Sequence, residues 1–311
     1  MRAGSADSLL FMIIAKINEC GGVMAIINAL TINVEDYFQA PAFKRSIKVN
    51  DWGLLSSRLE LSINKTLQLL SDHGVTATFF VYAWTIKTFP NLITRIAAQG
   101  HEIAYRHHSV LPTVMSADTV MELQNGRDKL AQLIGCKVSG FRTDAAMFSF
   151  DNENLYDELM FAGFEYSSSV NLPTAVPEQW LPQPLSMQPR PGFLELPLST
   201  HIAFTRRYEI INPHFLKLRR YEVSKHLVDQ HLDETKMPLI ASVSNWMLDD
   251  EQPKIRADSF MQRWLHHYRL KDAPLLLHQI LAEYRWGRME DIYLHKVLPL
   301  HKAKSQNSCI I

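Results

Sequence analysis

From Met24 onward, short apolar runs alternate with amphipathic stretches, and that alternation limits the folds open to the chain. Ile26-Ile-Asn-Ala-Leu-Thr-Ile32 reads as a buried strand, and Leu59, Ile63, Leu67 and Leu70 follow at helical spacing, closed by His73-Gly74. Thr76–Val81 is the next strand. Pro90 opens a helix that stops at Gly100, and Glu102-Ile-Ala104 is a short strand. Ser116 caps a helix carrying Val120, Leu123, Leu130 and Ile134; Lys137–Phe141, a helix capped by Asp151, and Glu165–Ser167 continue the series. Strands joined through helices run parallel, so the expected fold is α/β, a barrel or an open sheet.

Leu172–Gly192 is proline-rich and reads as an irregular loop. After it come a strand at Phe193–Leu196, a helix near Pro213–Leu232, a strand at Leu239–Val243 and helices from Ala257. No internal repeat is present, so one elaborated domain is expected over residues 24–300, with 301–311 as a tail. Residues 1–23 read as a leader or an over-extended start. Their apolar run, Leu9–Ala15, is far short of the roughly 20 residues a bilayer needs, so no transmembrane segment is expected. Basic and acidic residues balance at 32 each, which offers no sequence-independent nucleic-acid binding. Cys20, Cys136 and Cys309 are scattered, giving neither a disulfide framework nor a zinc ribbon. A cytoplasmic setting is expected rather than secretion.

In a barrel, chemistry collects at the C-terminal ends of strands. Here those ends are Asn33–Asp36, Tyr105–Val110, Phe141–Asp144, Tyr166–Ser169 and Ser244–Trp246. At these places the chain resembles a known family. Leu30-Thr-Ile-Asn-Val-Glu-Asp-Tyr-Phe38 resembles the L-T-I/V-D-V-E-D-Y-F opening of exosortase-associated polysaccharide deacetylases, a branch of the NodB-homology carbohydrate esterases. Gly74–Val81, Gly100–Ala104, Gly140-Phe-Arg142, Gly192–Thr200 and Trp246 with Leu248-Asp249 follow in the family's order. The resemblance implies a distorted (β/α)7 barrel. It also implies metal-assisted removal of N-acetyl groups from polysaccharide: a carboxylate and two histidines hold a divalent ion, usually zinc, an aspartate takes the proton from water, and a late histidine protonates the leaving amine.

The catalytic positions depart from that pattern. The carboxylate position is Glu35, but the two metal histidines fall on Arg106 and Val110. The base aspartate falls on Asn33, the late histidine on Ser244, and the R-x-P motif reads Arg142-Thr-Asp144. Arg142 is expected to bond the Asn33 amide oxygen or to pair with Asp144. A guanidinium about 5 Å from a divalent ion is repelled by roughly 6–7 kcal/mol at an effective dielectric of about 20, unless it swings outward. Loss of the base separately removes a factor of about 10²–10⁴.

The leading expectation is therefore a catalytically impaired relative with no metal cofactor. It binds an N-acetylated polysaccharide or an exopolysaccharide-pathway protein, with Tyr37 and Trp246 flanking the mouth as aromatic platforms. Glu35 and Asp36 read more simply as a solvated strand-end pair than as ligands. The alternative is a working hydrolase with zinc or another divalent ion on a relocated site, Glu35 or Asp36 with His107 or His108. Adjacent residues point apart, which weighs against one ion taking both histidines. A third reading, a degenerate product, sits poorly with intact core strands and helix caps. His266-His267 reads as a surface or half-buried pair.

Overall fold

The structure, a computed structural model, describes residues 27–108, 111, 114–143, 153–169, 187–203, 206–235, 237–256 and 259–292. The expected leader and tail, Val110 and Asp144 lie outside the described residues. The strands are β1 (Asn28–Val34), β2 (Thr78–Tyr82), β3 (Glu102–Arg106), β4 (Gly140–Arg142), β5 (Tyr166–Ser167), β6 (Met187–Arg190), β7 (Phe193–Glu195), β8 (Thr200–Ala203), β9 (Arg206–Glu209), β10 (Ile240–Ser244) and β11 (Trp286–Gly287). Seven of them, in the order β10-β1-β2-β3-β4-β5-β7, pair parallel in one curled sheet, the incomplete barrel of a (β/α)7 fold. Strand pairing does not close the ring between β7 and β10. There the Ser199 amide donates to the Ile240 carbonyl at 3.0 Å, and the Ser242 amide donates to the Ile211 carbonyl at 3.3 Å.

The helices are α1 (Leu59–Asp72), α2 (Ala83–Thr88), α3 (Pro90–Ala98), α4 (Ala117–Ile134), α5 (Glu153–Phe161), α6 (Pro213–Leu218), α7 (Tyr221–Thr235), α8 (Phe260–His267) and α9 (Ala273–Glu283). Helix α1 buries Leu59, Ile63, Leu67 and Leu70, the stripe that the spacing predicts, each residue contributing about 1.5–3 kcal/mol. At the start of α4 the Ser116 hydroxyl accepts the Thr119 amide at 3.2 Å, and Gly135, at φ 72°, ends the helix in the left-handed conformation. Gly140 has a packing reason: a Cβ there would collide with the Tyr166 hydroxyl and crowd Ala104.

Three expectations change. The proline-rich segment read as a loop contains β6, an edge strand antiparallel to β7; an edge tolerates Pro189, and Gly192 at φ 87° makes the turn. Thr200–Glu209, assigned no structure from sequence, is the β8–β9 hairpin. The helix expected over Pro213–Leu232 is two, α6 and α7, parted where Arg219 donates to the Ile210 carbonyl at 3.0 Å.

Candidate functional site

Register decides what meets at the mouth. Asn33 is level with Ser244 on one side, and Arg106 is level with Arg142 on the other. Their side chains line a cavity of about 260 Å³ that also reaches Glu35, Ser168 and Trp246. The cavity thus gathers residues from the ends of β1, β3, β4, β5 and β10.

Glu35 is the hub. Its Oε2 accepts from Arg106 Nη1 at 3.0 Å, both side chains being buried. Its Oε1 accepts from the Ser244 hydroxyl at 2.5 Å and from Trp246 Nε1 at 3.1 Å. The Asn245 side chain accepts the Glu35 amide at 2.8 Å, which fixes the backbone. Two expectations are corrected here. Glu35 is not solvated, because these donors satisfy both its oxygens out of water. Arg106 does not swing outward: it turns in, with Tyr82 under its guanidinium at 4.7 Å.

Arg142 lies beside this pair. Its Nη1 donates to the Asn33 amide oxygen at 3.1 Å and to Thr31 Oγ1 at 3.0 Å. Its Nε and Nη2 donate to the Ser168 carbonyl and hydroxyl at 3.0 and 2.8 Å. The Asn33 nitrogen donates onward to the Ser242 hydroxyl at 3.1 Å. Burial, with Arg106 nearby, pushes the Arg142 guanidinium down to about 9.

Asp36 and Tyr37 point elsewhere. The Asp36 carboxylate accepts the Tyr37 and Arg58 amides and the Ser57 hydroxyl, so it caps a turn and is not a spare ligand. Burial nevertheless raises its pKa. That cap turns the Tyr37 ring into the core, edge-on to Phe38 at 5.2 Å, with its hydroxyl donating to the Ser56 carbonyl. Tyr37 is 3 % exposed and does not line the cavity, which corrects its expected place at the mouth. Trp246 does line the cavity, but its ring is 1 % exposed. It stacks at 4.3 Å on His266, which is fully buried rather than at the surface. Burial drives the His266 imidazole down to about 2.

His107 and His108 are also corrected. They converge, with ring centroids 4.8 Å apart, because the chain leaves the sheet after Arg106 and strand alternation no longer holds. With Glu122 of α4 they form a group whose ligand atoms lie within 4.8 Å of one another. Neither histidine lines the cavity with Glu35, and Asp36 lies outside it as well.

Glu209 and His214, both lining the cavity, were not legible as site residues. Burial raises the Glu209 pKa, and burial with the charge of Lys217 lowers that of His214. Glu209 ends the β8–β9 hairpin and His214 stands in the first turn of α6 just after it; the usable signal for the hairpin was the alternation through Thr200-His-Ile-Ala203.

The site is a poor fit for a metal at the family position. A zinc ion would need a carboxylate oxygen at about 2.0–2.2 Å and imidazoles beside it. Glu35 Oε2 instead faces a guanidinium nitrogen at 3.0 Å, and an arginine has no lone pair to offer. Asn33, an amide held by Arg142, cannot take a proton from water.

A curled seven-stranded parallel sheet with a polar cavity at the strand ends defines the fold class: an incomplete (β/α)7 barrel. Comparison with known proteins agrees. The polysaccharide deacetylase family matches residues 58–162, and a domain of unknown function (DUF3473) matches residues 172–294. A chitooligosaccharide deacetylase of Rhizobium leguminosarum bv. trifolii is 40 % identical over 53 residues, 17 % of this chain and 24 % of that protein. A peptidoglycan-N-acetylglucosamine deacetylase of Bacillus cereus is 27 % identical over 101 residues, 32 % of this chain and 37 % of that protein. The matches thus span only about a quarter to a third of these relatives' lengths. Among solved structures, one described as a polysaccharide deacetylase from Mycobacterium smegmatis superposes with a TM-score of 0.53 at 18 % identity, covering 88 % of this chain and 91 % of that one. The Puue allantoinase does so with a TM-score of 0.54 at 15 % identity, covering 87 % and 89 %. Residues 58–162 thus match the polysaccharide deacetylase family, and the chain as a whole is similar in fold to polysaccharide deacetylases of the NodB-homology type.

Proposed function

We propose that this chain is a catalytically impaired member of the family that binds an N-acetylated glycan of exopolysaccharide production, or a protein of that pathway, in the cytoplasm. The Arg106–Glu35 ion pair carries the reading. It puts a fixed cation against the carboxylate that would otherwise ligate a metal, while Asn33 stands where a base is required. What remains is a polar cavity with ordered donors, suited to holding a sugar and unsuited to activating water.

Elemental analysis of the purified protein, paired with acetate release from chitin oligomers, tests it. The expected result is less than stoichiometric metal and no acetate above background. One equivalent of zinc with chelator-sensitive acetate release would overturn it. Restoring the family residues together (Arg106→His, Val110→His, Asn33→Asp, Ser244→His) is expected to recover zinc binding.

One observation favours a second reading, an active hydrolase with a relocated metal: the grouping of His107, His108 and Glu122. It requires bound metal that His108→Ala removes and Arg106→Met leaves in place.

A further inference from the structure

The two guanidinia at the cavity are not equivalent. Arg106 has a carboxylate in direct contact, whereas the hydrogen bonds of Arg142 run to Thr31, Asn33, Ser168 and Ser242, all neutral. Arg142 is 5 % exposed, lies 3.8 Å over the Phe80 ring, and still borders the cavity. A buried charge without a counter-ion is costly. Neutral oxygens relieve part of that cost, and an anion delivered through the cavity would relieve more.

Three carboxyls bear on this. Glu35 is engaged by Arg106, Ser244 and Trp246. Glu209 borders the cavity within electrostatic reach of Arg142, but it bonds Asn212 and is pushed towards its neutral form by burial. Glu195, also within electrostatic reach, is fully buried and accepts the Ser169 amide at 2.8 Å; among the described residues none of the three is a direct partner of Arg142. The serines 168, 169 and 244, with His214, supply the hydroxyl and imidazole groups that hold sugar hydroxyls. At about 260 Å³, the cavity lies below the roughly 300–1,000 Å³ of drug-sized sites and suits about one ring.

We infer that the cavity binds a hexuronate residue of an acidic glycan, its carboxylate serving as the direct counter-ion that Arg142 lacks among the described residues. The inference rests on the glycan-binding reading above and narrows it to carboxylate-bearing sugars.

The test is calorimetric titration of the full chain with three probes: hexuronate trisaccharides, chitotriose and sodium acetate. Asn33→Asp is the decisive variant. It is isosteric, the Ser242 hydroxyl can turn to donate to it, and it gives Arg142 an internal carboxylate. The expected result is binding of a hexuronate trisaccharide at least tenfold tighter than chitotriose or acetate, and a loss of at least tenfold in Asn33→Asp. Arg142→Gln should lose the same binding, with its fold checked by circular dichroism. Chitotriose binding as tightly as the uronates would overturn the inference and leave the glycan reading standing. Unchanged uronate binding in Asn33→Asp would also overturn it, as would acetate matching the trisaccharide. Binding of none of the probes would overturn the inference and, with it, the glycan-binding form of the proposed function.

Discussion

The molecule buries a carboxylate at each end of its sheet and treats the two differently. At the C-terminal ends of the strands, Glu35 meets a guanidinium, a hydroxyl and an indole. At the opposite end Glu102, the first residue of β3, meets hydroxyls and an amide: Thr78 Oγ1 and the Tyr166 hydroxyl donate at 2.6 Å, and the Glu290 amide at 2.9 Å. Glu102 is buried, and that burial pushes it up to about 7. The fold can therefore satisfy a buried acid without a cation. Arg106 is then a feature of the site, not something the barrel requires.

Removing the cation should produce the largest effect. Arg106→Met leaves Glu35 buried without its counter-charge, and urea unfolding should show a loss of about 3–5 kcal/mol. Adding Glu35→Gln should restore most of that. If the double variant were no more stable than the single one, the ion pair would not be what holds this end together.

Next comes Glu102. Its folded pKa, about 7, lies above its ordinary value of 4.5, so the native state holds the proton more tightly than the unfolded chain. Below the ordinary value both states are protonated and no cost arises. As pH rises towards 7 the native state is progressively disfavoured, by at most about 3 kcal/mol. Unfolding free energies between pH 5 and 8 should fall accordingly in the parent chain, and the slope should flatten in Glu102→Gln. An equal slope in both proteins would place the titration elsewhere.

The sheet was far more legible in the sequence than the site. Leu59, Ile63, Leu67 and Leu70, the Ser116 cap and the strand-end positions all follow from periodicity and local hydrogen bonding, which neighbours in sequence determine. Asn33, Arg142 and Ser244 could be assigned to the mouth because a parallel register fixes strand ends. What the sequence hid were choices made across the barrel. Arg106 turns inward only because Glu35, some 70 residues away, waits there; a hydrogen bond between distant strands leaves no local pattern. Tyr37 turns inward because Asp36 caps the turn with help from Ser57 and Arg58. Glu209 reaches the cavity from a hairpin whose strands are only four residues each, and His214 from the first turn of α6 that follows it.

Two single hydrogen-bond deletions sharpen the contrast further. Ser244→Ala removes a donor to an ion-paired carboxylate and should cost about 1.5–3 kcal/mol, the range for bonds to charged groups. Tyr166→Phe removes the corresponding donor to Glu102. At pH 5.5, where Glu102 keeps its proton, the loss should be near 1 kcal/mol, the ordinary value for a neutral pair. Above pH 8 the same substitution strips a donor from a charged oxygen, so its cost should rise into the upper range. The ring stays fully buried against Gly140 and keeps its packing, so the change with pH isolates the hydroxyl. Denaturant midpoints for Tyr166→Phe and its parent, taken at both pH values, measure it; a cost that does not grow with pH would mean that Glu102 is already charged at pH 5.5.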